Sequence, residues 1–188
     1  MLYKEYRNEI PQNTLKTWSS TLMEGAHWQH IGWTGNPKEP LRHWAAYPPM
    51  EGMVKQIWDF LNESLIEDGF SLRPDRVILN LYNHGDSSWL HKDSENENDW
   101  TVILFLNEHW DLNWGGDFAL ADGKEIIQAF SPTPGKFICF RANTPHGARP
   151  VSREAPYPRF GIAFQCKVDD SNIQGLSQPK ISPIRTAL

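Results

Sequence analysis

The chain has 188 residues, 39% hydrophobic and 22% charged, with a formal charge of −5. That length suits one domain with a real core and leaves two domains cramped. The acidic balance, with Lys and Arg scattered among Asp and Glu, counts against a nucleic-acid binder, whose affinity rests on phosphate neutralisation. Two cysteines, Cys139 and Cys166, do not make a secreted disulfide scaffold, and both read as small buried hydrophobes. The opening MLYKEYRNEI lacks an apolar signal core, and no apolar run is long enough to span a membrane, so a cytoplasmic location is expected.

In chain order, residues 11–25 read as a short helix, with Leu15, Trp18 and Leu22 at helical spacing behind Pro11. Residues 26–49 carry Trp28, Trp33 and Trp44 among glycines and prolines and predict irregular or short-strand structure. Met50–Gly69 is a stronger helix: Met53, Ile57, Phe60, Leu61 and Leu65 form one stripe, and Gly69 is its stop. From residue 75 the period shortens, and strands are expected at 76–83, 88–92, 100–107, 116–121, 125–130, 136–141 and 159–167. Gly115–Gly116, Asp122–Gly123 and 132–135 punctuate them as turns. Many short strands after two helices predict a mainly β protein, a sandwich or jelly-roll barrel with the helices packed on one side.

His91-Lys92-Asp93 is the first chemical signal. On a strand, residues i and i+2 share a face, so an imidazole and a carboxylate would project side by side. His146, beyond the strand 136–141 and a short turn, supplies a second imidazole. Two histidines and one carboxylate form a facial triad, which leaves three positions open around a metal. His-x-Asp alone arises often by chance, and the surroundings give it weight. In Arg159-Phe160-Gly161-Ile162-Ala163-Phe164-Gln165, one strand face carries a cation beside two very small side chains, and that guanidinium can grip a carboxylate bidentately. Arg149 and Arg153 compete for this role. Asn80 and Tyr82 share a face of the strand 76–83, where a tyrosine hydroxyl could complete a dicarboxylate site. His27 and His30 lack a carboxylate partner and read as structural or surface residues.

The ordered pieces Asn80-Leu81-Tyr82-Asn83-His84-Gly85, His91-Lys92-Asp93, residues 101–107, Trp114-Gly115-Gly116-Asp117-Phe118, Pro134-Gly135-Lys136-Phe137, Pro145-His146-Gly147 and residues 159–164 resemble the prolyl 4-hydroxylase-like branch of the 2-oxoglutarate/iron(II) oxygenases. The resemblance covers about half the chain. It implies a double-stranded β-helix (a jelly-roll, cupin-like barrel) over residues 76–167. Residues 1–75 would be a helical and irregular region packed on one sheet, and residues 168–188 a tail, in one domain overall. It implies Fe(II) on His91, Asp93 and His146, 2-oxoglutarate held by Arg159 with Tyr82, O₂ as oxidant, and ascorbate as a reductant. The arginine departs from collagen-type prolyl hydroxylases, which place a lysine there, and this loosens assignment as a prolyl hydroxylase.

The resulting expectation is a dioxygenase that hydroxylates a C–H bond of a prolyl residue, a free amino acid or a small metabolite, releasing succinate and CO₂. Trp28, Trp33, Trp44, Trp89 and Trp114 are candidates for the cleft rim. Two other readings compete. The Asn80-x-Tyr82 and His91-x-Asp93 spacing is also similar to the alkylation-repair oxygenases, which would make the substrate a nucleic acid. Gln165 and Lys167 stand where such an enzyme needs a second arginine. A metal-binding barrel without turnover is the third reading, and the intact His91, Asp93, His146 and Arg159 set argues against it.

Overall fold

The computed structural model describes residues 1–7, 10–31 and 41–169. The described chain runs β1 (Tyr3–Arg7), α1 (Gln12–Gly25), β2 (Gln29–Ile31), β3 (Leu41–Ala46), α2 (Gly52–Glu67), β4 (Leu72–Tyr82) and β5 (Ser87–Ser88). It continues with β6 (Trp100–Phe105), β7 (Phe118–Asp122), β8 (Glu125–Phe130), β9 (Lys136–Arg141), β10 (His146–Ala148) and β11 (Arg159–Val168). The major sheet has the order β1-β9-β6-β11-β4-β3-β2, with β5 paired to β3, and the minor sheet is β10-β7-β8. All of these pairs are antiparallel. This is the expected jelly-roll.

The two helices form where their apolar stripes can be buried. α1 buries Leu15, Trp18 and Leu22, and α2 buries Val54, Ile57, Trp58, Leu61 and Leu65. Both stripes join one core with Val77, Leu79, Val102, Leu104, Phe160, Ile162 and Phe164 of the major sheet. α2 ends in a Schellman turn. Gly69, at φ +81, donates to Ile66 O at 2.9 Å, and Phe70 donates to Leu65 O at 2.9 Å. A second core of Phe105, Phe118, Leu120, Phe130, Ile138 and Phe140 fills the space between the sheets. Alternation along β4 and β11 thus sends one row to the helices and the other toward the barrel interior.

Several elements differ from expectation. β4 begins at Leu72 and carries Pro74, which has no N–H to give the ladder. Opposite it, β11 shifts register between Gln165 and Cys166, pairing Cys166 with Pro74. The expected strand 88–92 shrinks to Ser87–Ser88. β1 and β10 are additional strands: β1 exists because β9 offers it an edge, with Tyr3 opposite Phe140. Cys139 and Cys166 are buried in the main core, and burial pushes both thiols up, as expected of inert hydrophobes. From residue 170 on, the expected tail lies outside the described residues.

Candidate functional site

His91 and His146 are brought together by the main chain. Each donates its backbone N–H to the other's carbonyl at 2.9 Å, and Asp93 N–H donates to Ala142 O at 3.0 Å. The segment carrying His91 and Asp93 is a bridge and bend, so the strand alternation expected there is not what aligns them. Potential ligand atoms of His91, Asp93 and His146 all lie within 4.8 Å of one another. His91 Nε2 stands 3.7 Å from Asp93 Oδ1, and His146 Nε2 stands 3.4 Å from Asp93 Oδ2.

The tautomers follow from the second nitrogens. His91 Nδ1 lies 2.8 Å from Trp89 O and His146 Nδ1 lies 2.8 Å from Thr144 O. A carbonyl only accepts, so each Nδ1 carries the proton and the acceptor lone pair falls on Nε2. The Thr101 hydroxyl donates to Asp93 Oδ2 at 2.6 Å. Burial pushes the Asp93 carboxyl up, but in the metal-free protein the hydrogen bond and charge of His146 in its protonated form, the Thr101 hydroxyl and the charge of protonated His91 outweigh it and hold it at about 2; a metal would take the place of the Nε2 protons. Two imidazole Nε2 atoms around an ionised carboxylate are the donor set of a divalent transition metal with open positions, and the Nδ1–carbonyl bonds are the outer support such ligands need.

Deeper in the barrel, Arg159 is 4% exposed, and its Nε is buried with no hydrogen-bond partner. It faces Tyr82 across the β11–β4 ladder, with its Cζ 5.0 Å from the Tyr82 ring centre and 5.1 Å from that of Phe105. Among the described residues no carboxylate forms an ion pair with it; Asp117 acts through its charge alone. A buried guanidinium in that condition fits an anionic guest. The competing arginines do not: Arg149 is exposed, and Arg153 is exposed and donates to His84 Nε2 at 3.0 Å. Gly116, at φ +71, lies so close that a Cβ there would stand 3.1 Å from Arg159 Cδ.

A cleft of about 270 Å³ is lined by Asn80 and Tyr82 at one end, the His–Asp–His trio on one wall, and Arg76 with Gln165; Arg159 lies beside Tyr82 and does not itself line it. Asn80 reaches this space mainly as a partner of the His43 side chain, which stacks on Tyr82 at 4.6 Å. Thr101, His43 and Arg76 were not singled out by sequence. Thr101 is the second residue of an apolar strand, and His43 lies in a stretch whose strand pairing is invisible until β4 is placed beside it. The tryptophan rim is corrected. Trp28 packs edge-on to Phe160 in the core, Trp44 packs against His30, and Trp114 clusters with Trp110 and Tyr157. Trp89 is 54% exposed beside a different surface cleft. Trp33 lies outside the described residues.

Residues 77–165 match the family model of the 2OG-Fe(II) oxygenase superfamily. Among solved structures, a Pseudomonas putida prolyl-4-hydroxylase is similar at TM-score 0.68 and 14% identity, over 89% of this chain and 92% of that one. A Trichoplax adhaerens prolyl hydroxylase, in complex with a hypoxia-inducible-factor peptide, is similar at TM-score 0.68 and 14% identity, over 93% and 87%. A non-heme alpha-ketoglutarate-dependent epimerase from nogalamycin biosynthesis is similar at TM-score 0.66 and 11% identity, over 88% and 76%. At such identities the likeness is one of fold. No curated protein matches the chain in sequence.

Proposed function

Since residues 77–165 are a domain of the 2OG-Fe(II) oxygenase superfamily and the chain is a dioxygenase of that class, we propose that His91, Asp93 and His146 hold Fe(II), that Arg159 with Tyr82 anchors 2-oxoglutarate, and that the product is a hydroxylated small molecule, amino acid or prolyl residue. The observation that carries this reading is the convergence of two Nε2 lone pairs on an ionised carboxylate, in one barrel with a buried arginine whose Nε is unsatisfied. When bound, the iron and its cosubstrate supply O₂ activation and oxidation of a C–H bond, with decarboxylation of 2-oxoglutarate to succinate and CO₂.

The protein's own residues set geometry and charge. Trp89 O and Thr144 O fix the imidazole tautomers. Thr101 keeps one Asp93 oxygen hydrogen-bonded and turns the carboxylate toward the histidines. Arg159 receives the distal carboxylate of the cosubstrate, with the buried Tyr82 ring beside it. Ascorbate would serve to keep the metal ferrous. A nucleic-acid substrate is not favoured, because Lys167, near the position a second arginine would occupy, is paired with Asp99 at 2.6 Å.

The test is calorimetry of 2-oxoglutarate with the manganese-loaded protein. Binding by wild type, lost in Arg159→Ala and in His146→Ala, is the expected result. Absence of binding by folded, metal-loaded wild type would refute the proposal.

A further inference from the structure

At the end of the cleft away from Tyr82, Arg76 stands on the inward row of β4, which continues through Ile78, Asn80 and Tyr82. It is exposed at the mouth, with its Cζ 4.9 Å from the Tyr47 ring centre. A guanidinium held over that ring by cation–π attraction keeps N–H groups available for a two-pronged acceptor. Among the described residues Arg76 has no hydrogen-bond or ion-pair partner, whereas the other cation lining the cleft, Lys92, is bound to Glu95 at 2.8 Å. Arg76 pairs across the ladder with Gln165, and Gln165 pairs with Thr101, whose hydroxyl holds Asp93. One cross-sheet row thus runs from a cation, past an amide, to the support of the metal trio. Strands lie about 4.8 Å apart, so the row spans roughly 10 Å, the reach of a molecule of amino-acid size. Ile31, Ile78 and Phe118 give the same cleft an apolar lining.

Resting on the oxygenase reading above, we propose that Arg76, assisted by Gln165, binds the carboxylate of a small carboxylic-acid substrate, whose apolar body lies toward the metal trio. The two arginines divide the anions between them. Arg159 is buried beside Tyr82, for the cosubstrate. Arg76 lies six residues away along the paired strands, roughly 20 Å at the strand rise, and is open to incoming molecules. An uncharged substrate, or a prolyl residue inside a peptide, would leave this guanidinium without a partner.

The experiment titrates the manganese-loaded, 2-oxoglutarate-saturated protein with the standard L-amino acids and with short acids from acetate to hexanoate, each beside its primary amide. Binding is read by calorimetry, and succinate release is then measured for each binder on the iron-loaded enzyme. The expected result is at least one acid that binds about tenfold or more tightly than its amide. Arg76→Ala should weaken that acid by about tenfold, Arg76→Glu should abolish binding, and Arg76→Lys should restore part of it. Amides binding as well as acids would overturn the proposal, as would an Arg76→Ala affinity within twofold of wild type. If no acid binds while wild type still binds 2-oxoglutarate, the proposal falls alone. If wild type binds no 2-oxoglutarate, the oxygenase reading falls and takes this proposal with it.

Discussion

Both imidazoles of the trio are oriented by main-chain carbonyls, and Asp93 is oriented by a side chain, the Thr101 hydroxyl. Thr101→Val keeps the shape and removes that bond, so divalent-metal affinity should fall about 10–100-fold, the usual effect of losing an outer-shell partner; competition against a chelator measures it. The side chains proposed to hold the metal and the cosubstrate could be named from residue type and order. Thr101 and His43 could not, because their roles depend on neighbours distant in sequence. His43 also carries a pH signature. Burial pulls it down to about 4 against the Asn80 hydrogen bond, with His91, Arg159 and His30 adding in the same direction. It is neutral in the native state, whereas in the unfolded chain it titrates near 6.5. As pH falls from about 6.5 to about 4 the unfolded state binds more protons and stability is lost, on the order of 3 kcal/mol in full, with no further loss from this group below. His43→Phe retains an aromatic ring against Tyr82 and should flatten that slope between pH 7 and 4.5 in urea denaturation. An unchanged slope would remove His43 from the account.

α1, α2, β4 and β11 could be read from the period of their residues, whereas β6 and β9, buried on nearly every residue, were legible only as short apolar runs between turn signals. β10 could be read neither way: three residues, His146-Gly147-Ala148, show no period, and they become a strand only against β7. Gly147 is what allows this. A Cβ there would stand 2.6 Å from Ser88 O and 2.9 Å from Trp89 O. Gly147→Ala must therefore push β10 away from β5 and displace His146. The expected cost is about 1–3 kcal/mol of stability, typical of overpacking, together with weaker metal binding; thermal denaturation and metal titration of one sample read both. Metal binding at wild-type affinity in Gly147→Ala would show that the contact relaxes without moving the histidine. The strand expected at 88–92 failed for the complementary reason: His91 pairs with one residue, His146, and no ladder follows.

The architecture of two sheets backed by helices was legible from the order of elements, while the N-terminal edge strand required knowing which edge the barrel leaves open. In the whole molecule, His91 and Asp93 follow β5 of the major sheet and His146 begins β10 of the minor sheet, so a metal bound between them ties the two sheets together. Ligands that bind only the folded state stabilise it by about 2.7 kcal/mol at a concentration one hundred times Kd, which for a chain of this size is a rise in Tm of roughly 5–10 °C. Manganese should produce such a shift, 2-oxoglutarate should add to it only when the metal is present, and Arg159→Ala should remove the second increment; differential scanning calorimetry distinguishes the two. The backbone clamp between His91 and His146, with the Asp93 amide on Ala142 O, has one more consequence. It fixes the address of each proposed ligand independently of the side chain that occupies it. In Asp93→Gly the amide bond to Ala142 persists, and the vacated coordination position stays where it was. A small carboxylate from solution, such as formate, should then take the place of the missing side chain and restore metal binding in proportion to its concentration.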